Sequence, residues 1–112
     1  MFLIRRGDIV LFANTASPTP LAKQVIAVPG DEWAVTKSGV LLVNGLQALN
    51  SNDETYTLNR ARRTVLQVYE QDFGDVMPPD TYFLMGEMPG GTLDSSRIGL
   101  ISRSDIIGRV LE

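Results

Sequence analysis

Short apolar blocks separated by clusters of turn-forming residues run through the chain, and their spacing predicts strands rather than helices. Ile9-Val10-Leu11-Phe12 follows the turn signal Arg6-Gly7-Asp8. Lys23-Gln24-Val25-Ile26-Ala27-Val28 is rich in β-branched residues and stops at Pro29-Gly30-Asp31. Trp33-Ala34-Val35 runs into Lys37-Ser38-Gly39, and Val40-Leu41-Leu42-Val43 is closed by Asn44-Gly45, a strong hairpin signal. The first half therefore reads as a meander of short strands, spaced as in a small barrel or sandwich.

The second half is less regular. Residues 48–59 are polar and read as an exposed loop, and Pro78-Pro79 forces a turn before Thr81-Tyr82-Phe83-Leu84-Met85. Arg60, Arg62 and Arg63 form a basic cluster, either a solvated strand end or a contact for an anionic surface. The expected strands are 9–12, 23–28, 40–43, 64–69, 81–85 and 106–111, with at most one short helix. With no repeat, low-complexity tract or linker, the chain is expected to form a single domain over residues 1–112.

Composition narrows the chemistry. The 112 residues contain no cysteine and no histidine, which excludes disulfides, thiol catalysis, the usual zinc sites and a Ser-His-Asp triad. No metal or other cofactor is expected. The net charge of -3 argues against a nucleic-acid partner, whose binding rests on neutralised phosphates. No apolar run approaches the ~20 residues of a membrane span, and no apolar stretch follows the early arginines. The chain as given is thus expected to be soluble, with neither a signal peptide nor a transmembrane span.

Three segments, in order, resemble the motifs of the type I signal peptidases, the serine–lysine proteases that remove signal peptides outside the cytoplasm, and of the related peptidases that mature conjugative pilins. Arg6-Gly7-Asp8-Ile9-Val10-Leu11-Phe12 is similar to the family's R-G-D-I-V-x-F strand. Residues 23–31 resemble its K-R-V-I-x-x-P-G-D segment, with Gln24 in place of the usual arginine, and Val43-Asn44-Gly45 its V-N-G. Tyr82 to Glu87 and Thr92 to Ser95 resemble F-x-M-G-D-N followed by S-x-D-S-R. Counting from Gly86, Asp94 lies eight residues on and Gly99 thirteen, as in the family. Gly108-Arg109 falls at the family's last strand. The short span between Lys23 and Gly86 is that of the smaller members.

The resemblance implies an all-β fold, a small partly closed barrel with long connecting loops, and a serine endopeptidase chemistry that needs no histidine. A neutral lysine amine takes the proton of a serine hydroxyl. It does so near neutral pH only if an apolar pocket lowers its pKa from about 10.4. Lys23 falls at this lysine, and no acidic residue lies within seven positions on either side. The alternative is an ordinary lysine on a strand edge. By the same resemblance Thr92 orients the amine, Asp94 supports the loop, and Leu21 and Ala22 line the substrate pockets. The family pairs its aspartate with an arginine two residues later. Here that position is Ser96 and the arginine is Arg97, so the loop shifts by one residue or Asp94 turns to water and backbone amides.

The family's nucleophile lies in an S-M-x-P-T segment upstream of the R-G-D strand, and none precedes it here. Ser17-Pro18-Thr19-Pro20 lies on the wrong side of that strand and is spaced like a turn. The expectation is a catalytic domain without its nucleophile segment and membrane anchor, inactive alone. The serine would come from an upstream segment or a partner chain, and the partner in catalysis would be an extended peptide or signal-peptide substrate at the extracytoplasmic face of a membrane. Two further readings stay open. One is an inactive relative that pairs a peptide along a strand edge near Leu21-Ala22. The other is a self-cleaving repressor of the serine–lysine type, against which the P-G-D and M-G-x segments weigh.

Overall fold

The hairpin of β1 (Ile9–Phe12) and β2 (Leu21–Ala27) is the centre of the fold, in a computed structural model that describes residues 3–50, 52–86 and 94–110. The two strands pair antiparallel with Val10 opposite Lys23 and Phe12 opposite Leu21. β6 (Thr81–Met85) joins the far side of β2, and β8 (Ile106–Val110) joins β1, with β7 (Ile101–Ser102) beyond β6. The order β7-β6-β2-β1-β8 leaves β2 in the middle. A second sheet holds β3 (Trp33–Val35), β4 (Leu41–Val43) and β5 (Leu46–Gln47). The fold is mostly strands, as the sequence predicts, but neither sheet closes on itself into a barrel.

Turn chemistry explains the meander. Asn44 and Gly45 both have positive φ, 52° and 81°, as a two-residue hairpin turn between β4 and β5 requires. At the Pro29-Gly30-Asp31 turn, Asp31 Oδ2 accepts from the Val28 amide at 3.0 Å and Oδ1 from Asn44 Nδ2 at 3.1 Å. Arg6 Nε lies 3.2 Å from the same carboxylate, so the first two motifs touch. Asp8 accepts from the Arg5 amide at 2.8 Å and lies 3.9 Å from Arg109 Nη1 on β8. The motif residues therefore brace the frame.

The large sheet buries both faces. Phe83, Met85, Ile26 and Ala27 join Trp33, Leu41, Leu58 and Leu66 in one cluster, which the second sheet covers. Val10, Phe12, Val25 and Leu84 form the other with Ile4, Ile101 and Ile106.

The expected strand at 64–69 is a helix instead, part of α1 (Arg60–Phe73). The Asn59 side chain caps it by accepting from the Arg62 amide at 3.0 Å, and Gly74 ends it at φ 85°. Val65, Leu66, Val68 and Tyr69 satisfy a strand run and a helix face equally. The caps decide between them. The helix turns Arg62, Leu66 and Tyr69 inward at i, i+4 and i+7, with Leu66 fully buried and Val65 and Val68 exposed. A second, one-turn helix, α2 (Ser95–Ile98), and a 3-10 turn at Arg103–Asp105 also exceed the single short helix expected.

The two helices meet where Tyr69 lies over Gly99, which ends α2 at φ 83°. A Cβ on Gly99 would clash with the edge of the Tyr69 ring, whereas one on Gly74, at a similar φ of 85°, would meet open space. Gly74→Ala should therefore cost only the backbone strain, roughly 1 kcal/mol. Gly99→Ala should cost about 2–4 kcal/mol, because strain and overpacking add. Urea unfolding of the two variants tests the difference.

Candidate active site

Lys23 sits on the middle strand of the large sheet and is only 7% exposed. Strand alternation puts it on the face of Leu21 and Val25, and its cross-strand partner Val10 is fully buried. On the other side, β6 ends with Met85 opposite Gln24, so the same register carried one step sets Gly86 opposite Lys23. Among the described residues the amine has no hydrogen-bond or ion-pair partner. Burial pushes its pKa below the ordinary 10.5, the Asp94 carboxylate works against that shift, and the Arg62 guanidinium adds to it.

Asp94 is 1% exposed and gets its place from a gap in the sheet. β7 pairs with Thr81 and Tyr82 only. Beyond it, the Leu84 amide donates to Ser95 Oγ at 2.9 Å and the Gly86 amide to Asp94 Oδ2 at 3.0 Å. Side chains thus continue the ladder where a strand would otherwise have to. The other carboxylate oxygen caps α2, accepting from the Ser96 amide at 3.0 Å and from the Ser96 hydroxyl. Ser95 and Ser96 are fully buried.

The arginine beside Asp94 comes from an unexpected element. Arg97 is exposed on α2, and its pairing with Asp94 by a one-residue shift is not what the structure has. Arg62, from α1, donates through Nη1 to Ser96 Oγ at 2.9 Å and lies 3.7 Å from Asp94 Oδ1, its side chain 13% exposed. The basic cluster in the sequence contained this residue, but only helical spacing from Leu66 and Tyr69 would have singled it out. Ser95 stands within the S-x-D-S-R resemblance and Ser96 at the position of its arginine, but neither is singled out by it as a site residue.

Of the other site residues expected from the sequence, Thr92 lies outside the described residues. Leu21 is half-buried against the Val10 cluster, and Ala22 is exposed. Both pair with β1, opposite Phe12 and Leu11. Because β6 stops opposite Gln24, their other edge carries no strand among the described residues. Ser17 lies in the β1–β2 turn, and its hydroxyl donates to the Thr19 carbonyl at 2.8 Å. Gln24, at the position of the family's arginine, accepts from the Tyr56 hydroxyl at 3.2 Å.

Residues 2–112 match the sequence model of the family described as signal peptidase, peptidase S26. Signal peptidase I P of Bacillus subtilis subsp. natto is 34% identical over 108 residues, covering 93% of this chain and 56% of the relative. Signal peptidase I T of Bacillus subtilis strain 168 is 33% identical over 109 residues, covering 94% and 54%. A protein of Staphylococcus aureus strain COL named inactive signal peptidase IA is 27% identical over 108 residues, covering 96% and 58%. The chain spans about half the length of these curated relatives. The crystal structure of a signal peptidase I from Enterococcus faecalis V583 superposes with a TM-score of 0.64 at 19% identity, covering 99% of each chain. That likeness supports the fold.

A buried amine without a direct partner opposes folding while it is charged. Lys23→Met, which keeps most of the volume, should stabilise the chain at neutral pH by on the order of 1 kcal/mol. The sign of the pH dependence follows from the lowered pKa. Between the folded midpoint and the ordinary 10.5, the unfolded chain holds the extra proton, so stability rises with pH across that window. The advantage of Lys23→Met should be full below the folded midpoint and shrink as pH rises through the window, as thermal unfolding from neutral to alkaline pH would register.

Proposed function

The chain belongs to the signal peptidase family, peptidase S26, and we propose from that premise that it is the lysine-bearing part of a serine endopeptidase that processes signal-peptide or pilin precursors. The observation that carries the reading is the burial of the Lys23 amine on the middle strand, which lowers its pKa. In the proposed reaction the neutral amine takes the proton of a serine hydroxyl as its oxygen bonds to the scissile carbonyl carbon. The ammonium returns that proton to the departing amine. The resulting ester is then hydrolysed by a water that Lys23 activates in the same way.

The nucleophilic serine would be supplied from outside these 112 residues, by an upstream segment or by a partner chain. Thr92 would orient the amine, and Asp94 would hold the supporting loop. An extended substrate would pair along the edge of β2 that carries no strand among the described residues, with Leu21 and Ala22 against its small side chains. The family is membrane-associated, and among the described residues no helix is long and apolar enough to cross a membrane. The proposed place of work is the extracytoplasmic face, with any anchor outside this segment.

The Staphylococcus aureus relatives bear the name inactive signal peptidase, and they favour a second reading in which this chain binds extended peptides and cleaves none. The two readings part in one experiment. Supplied with an S-M-x-P-T segment, fused upstream or added as a second chain, the protein should cleave a signal-peptide precursor, and it should not do so alone. Lys23→Ala should reduce the supplemented rate by about 10³-fold or more. Precursor binding without cleavage under these conditions would establish the second reading. Cleavage that tolerates Lys23→Ala would remove Lys23 from the mechanism.

A further inference from the structure

An anion beside a buried lysine holds the proton on it, and a lysine base must avoid that. Asp94 is such an anion: it is buried, bound to the Gly86 amide at 3.0 Å, and its charge raises the pKa of Lys23. Among the described residues, the groups near Lys23 offer little else to offset it. Val10 on β1 is apolar, β6 offers the Gly86 backbone, and α2 offers the hydroxyls of Ser95 and Ser96. Among the described residues the cation acting on it is Arg62, brought in from α1 by the Asn59 cap and the burial of Leu66.

We propose that Arg62 is a positioning residue for the amine of Lys23, neutralising Asp94 and locking it through Ser96 so that the carboxylate serves the backbone and leaves the amine unpaired. The geometry has three parts. Arg62 Nη1 is 2.9 Å from Ser96 Oγ and 3.7 Å from Asp94 Oδ1. The Ser96 hydroxyl in turn donates to the same Oδ1. Arg62 thus holds the carboxylate directly and through a buried hydroxyl, while the second oxygen stays with Gly86. The guanidinium comes from a helix rather than from the loop that carries Asp94, so the α1–α2 contact at Tyr69 and Gly99 also sets the charge balance at the base. This inference rests on Lys23 being the base.

The chain has only two lysines, Lys23 and Lys37, so lysine-selective carbon labelling gives two NMR signals that a Lys23→Met control assigns. In the wild-type chain the Lys23 signal should titrate below the ordinary range. Arg62→Gln should move its midpoint upward, and Arg62→Lys, which keeps the charge, should return it close to wild type. In the serine-supplemented enzyme the acidic limb of kcat/KM should move up with it, a loss of several-fold at neutral pH. A folded Arg62→Gln variant with an unmoved midpoint overturns the role of Arg62 and leaves the base intact. So does Arg62→Lys behaving like Arg62→Gln, since structure and not charge would then be at work. A wild-type Lys23 that titrates in the ordinary range overturns the base itself. Should Arg62→Gln fail to fold, Ser96→Ala carries the test by loosening the lock without a new buried group. Its Lys23 midpoint should rise, and one that stays put counts equally against the proposal.

Discussion

Keeping an amine out of water on the middle strand of a sheet is the demand around which the rest of the site is arranged. Charged, such a group loses hydration that no hydrogen bond or ion pair among the described residues restores. Neutral, its aliphatic stem suits the apolar face it shares with Val25 and its cross-strand partner Val10. The surroundings decide between the two states, and electrostatics reaches further than contact. Inside a protein, where the effective dielectric is well below that of water, a charge that makes no contact can still shift which form prevails. A lone carboxylate at Asp94 would tip the balance toward the ammonium. Arg62 beside it works in the opposite direction, together with burial. Desolvation is the largest influence on the amine, and Arg62 offsets part of the opposing effect of Asp94.

That pair exists because the sheet is unfinished at one corner. β7 covers only the start of β6, which leaves amides at Leu84 and Gly86 that burial would not tolerate unpaired. Ser95 and Asp94 fill the gap, and the same Asp94 caps α2. Its position is therefore fixed by backbone hydrogen bonds before any chemistry is considered. A carboxylate so fixed is a poor partner for a mobile amine but a good fixed charge. The helix supplying the counter-charge is fixed with equal firmness, by the Leu66 side chain in the core and by Tyr69 against Gly99.

Much of this was legible in the sequence, and the failures have identifiable causes. The hairpins could be read because their turns need special backbone angles: Asn44-Gly45 and Gly30 announce positive φ in their residue types. Lys23 could be singled out by its apolar, acid-free flanks together with the family register. α1 was hidden because Val65, Leu66, Val68 and Tyr69 satisfy both periods, and the decisive information lay in Asn59 and Gly74, outside the run. Arg62 was hidden more deeply. Its partners, Asp94 and Ser96, lie on another element, and local patterning carries no trace of a contact made by tertiary packing.

The residues that make the family recognisable and the residues that would do its chemistry are largely different sets. Arg6, Asp8, Asp31 and Arg109 brace the turn and the strands, and they would do so in an active enzyme or an inactive relative alike. A frame of this kind does not require a buried amine. For packing alone, an aliphatic side chain on β2 opposite Val10 would serve better, because it has no charge to desolvate. Nor does a peptide-binding edge need one, since strand pairing uses backbone groups and the exposed side of Ala22. A lysine in that position, kept from a direct partner while the nearby carboxylate is held by an arginine, is unfavourable for stability and favourable for proton transfer. A base draws an advantage from that arrangement, and the energetics of Lys23 thus support the proposed catalytic reading over binding alone.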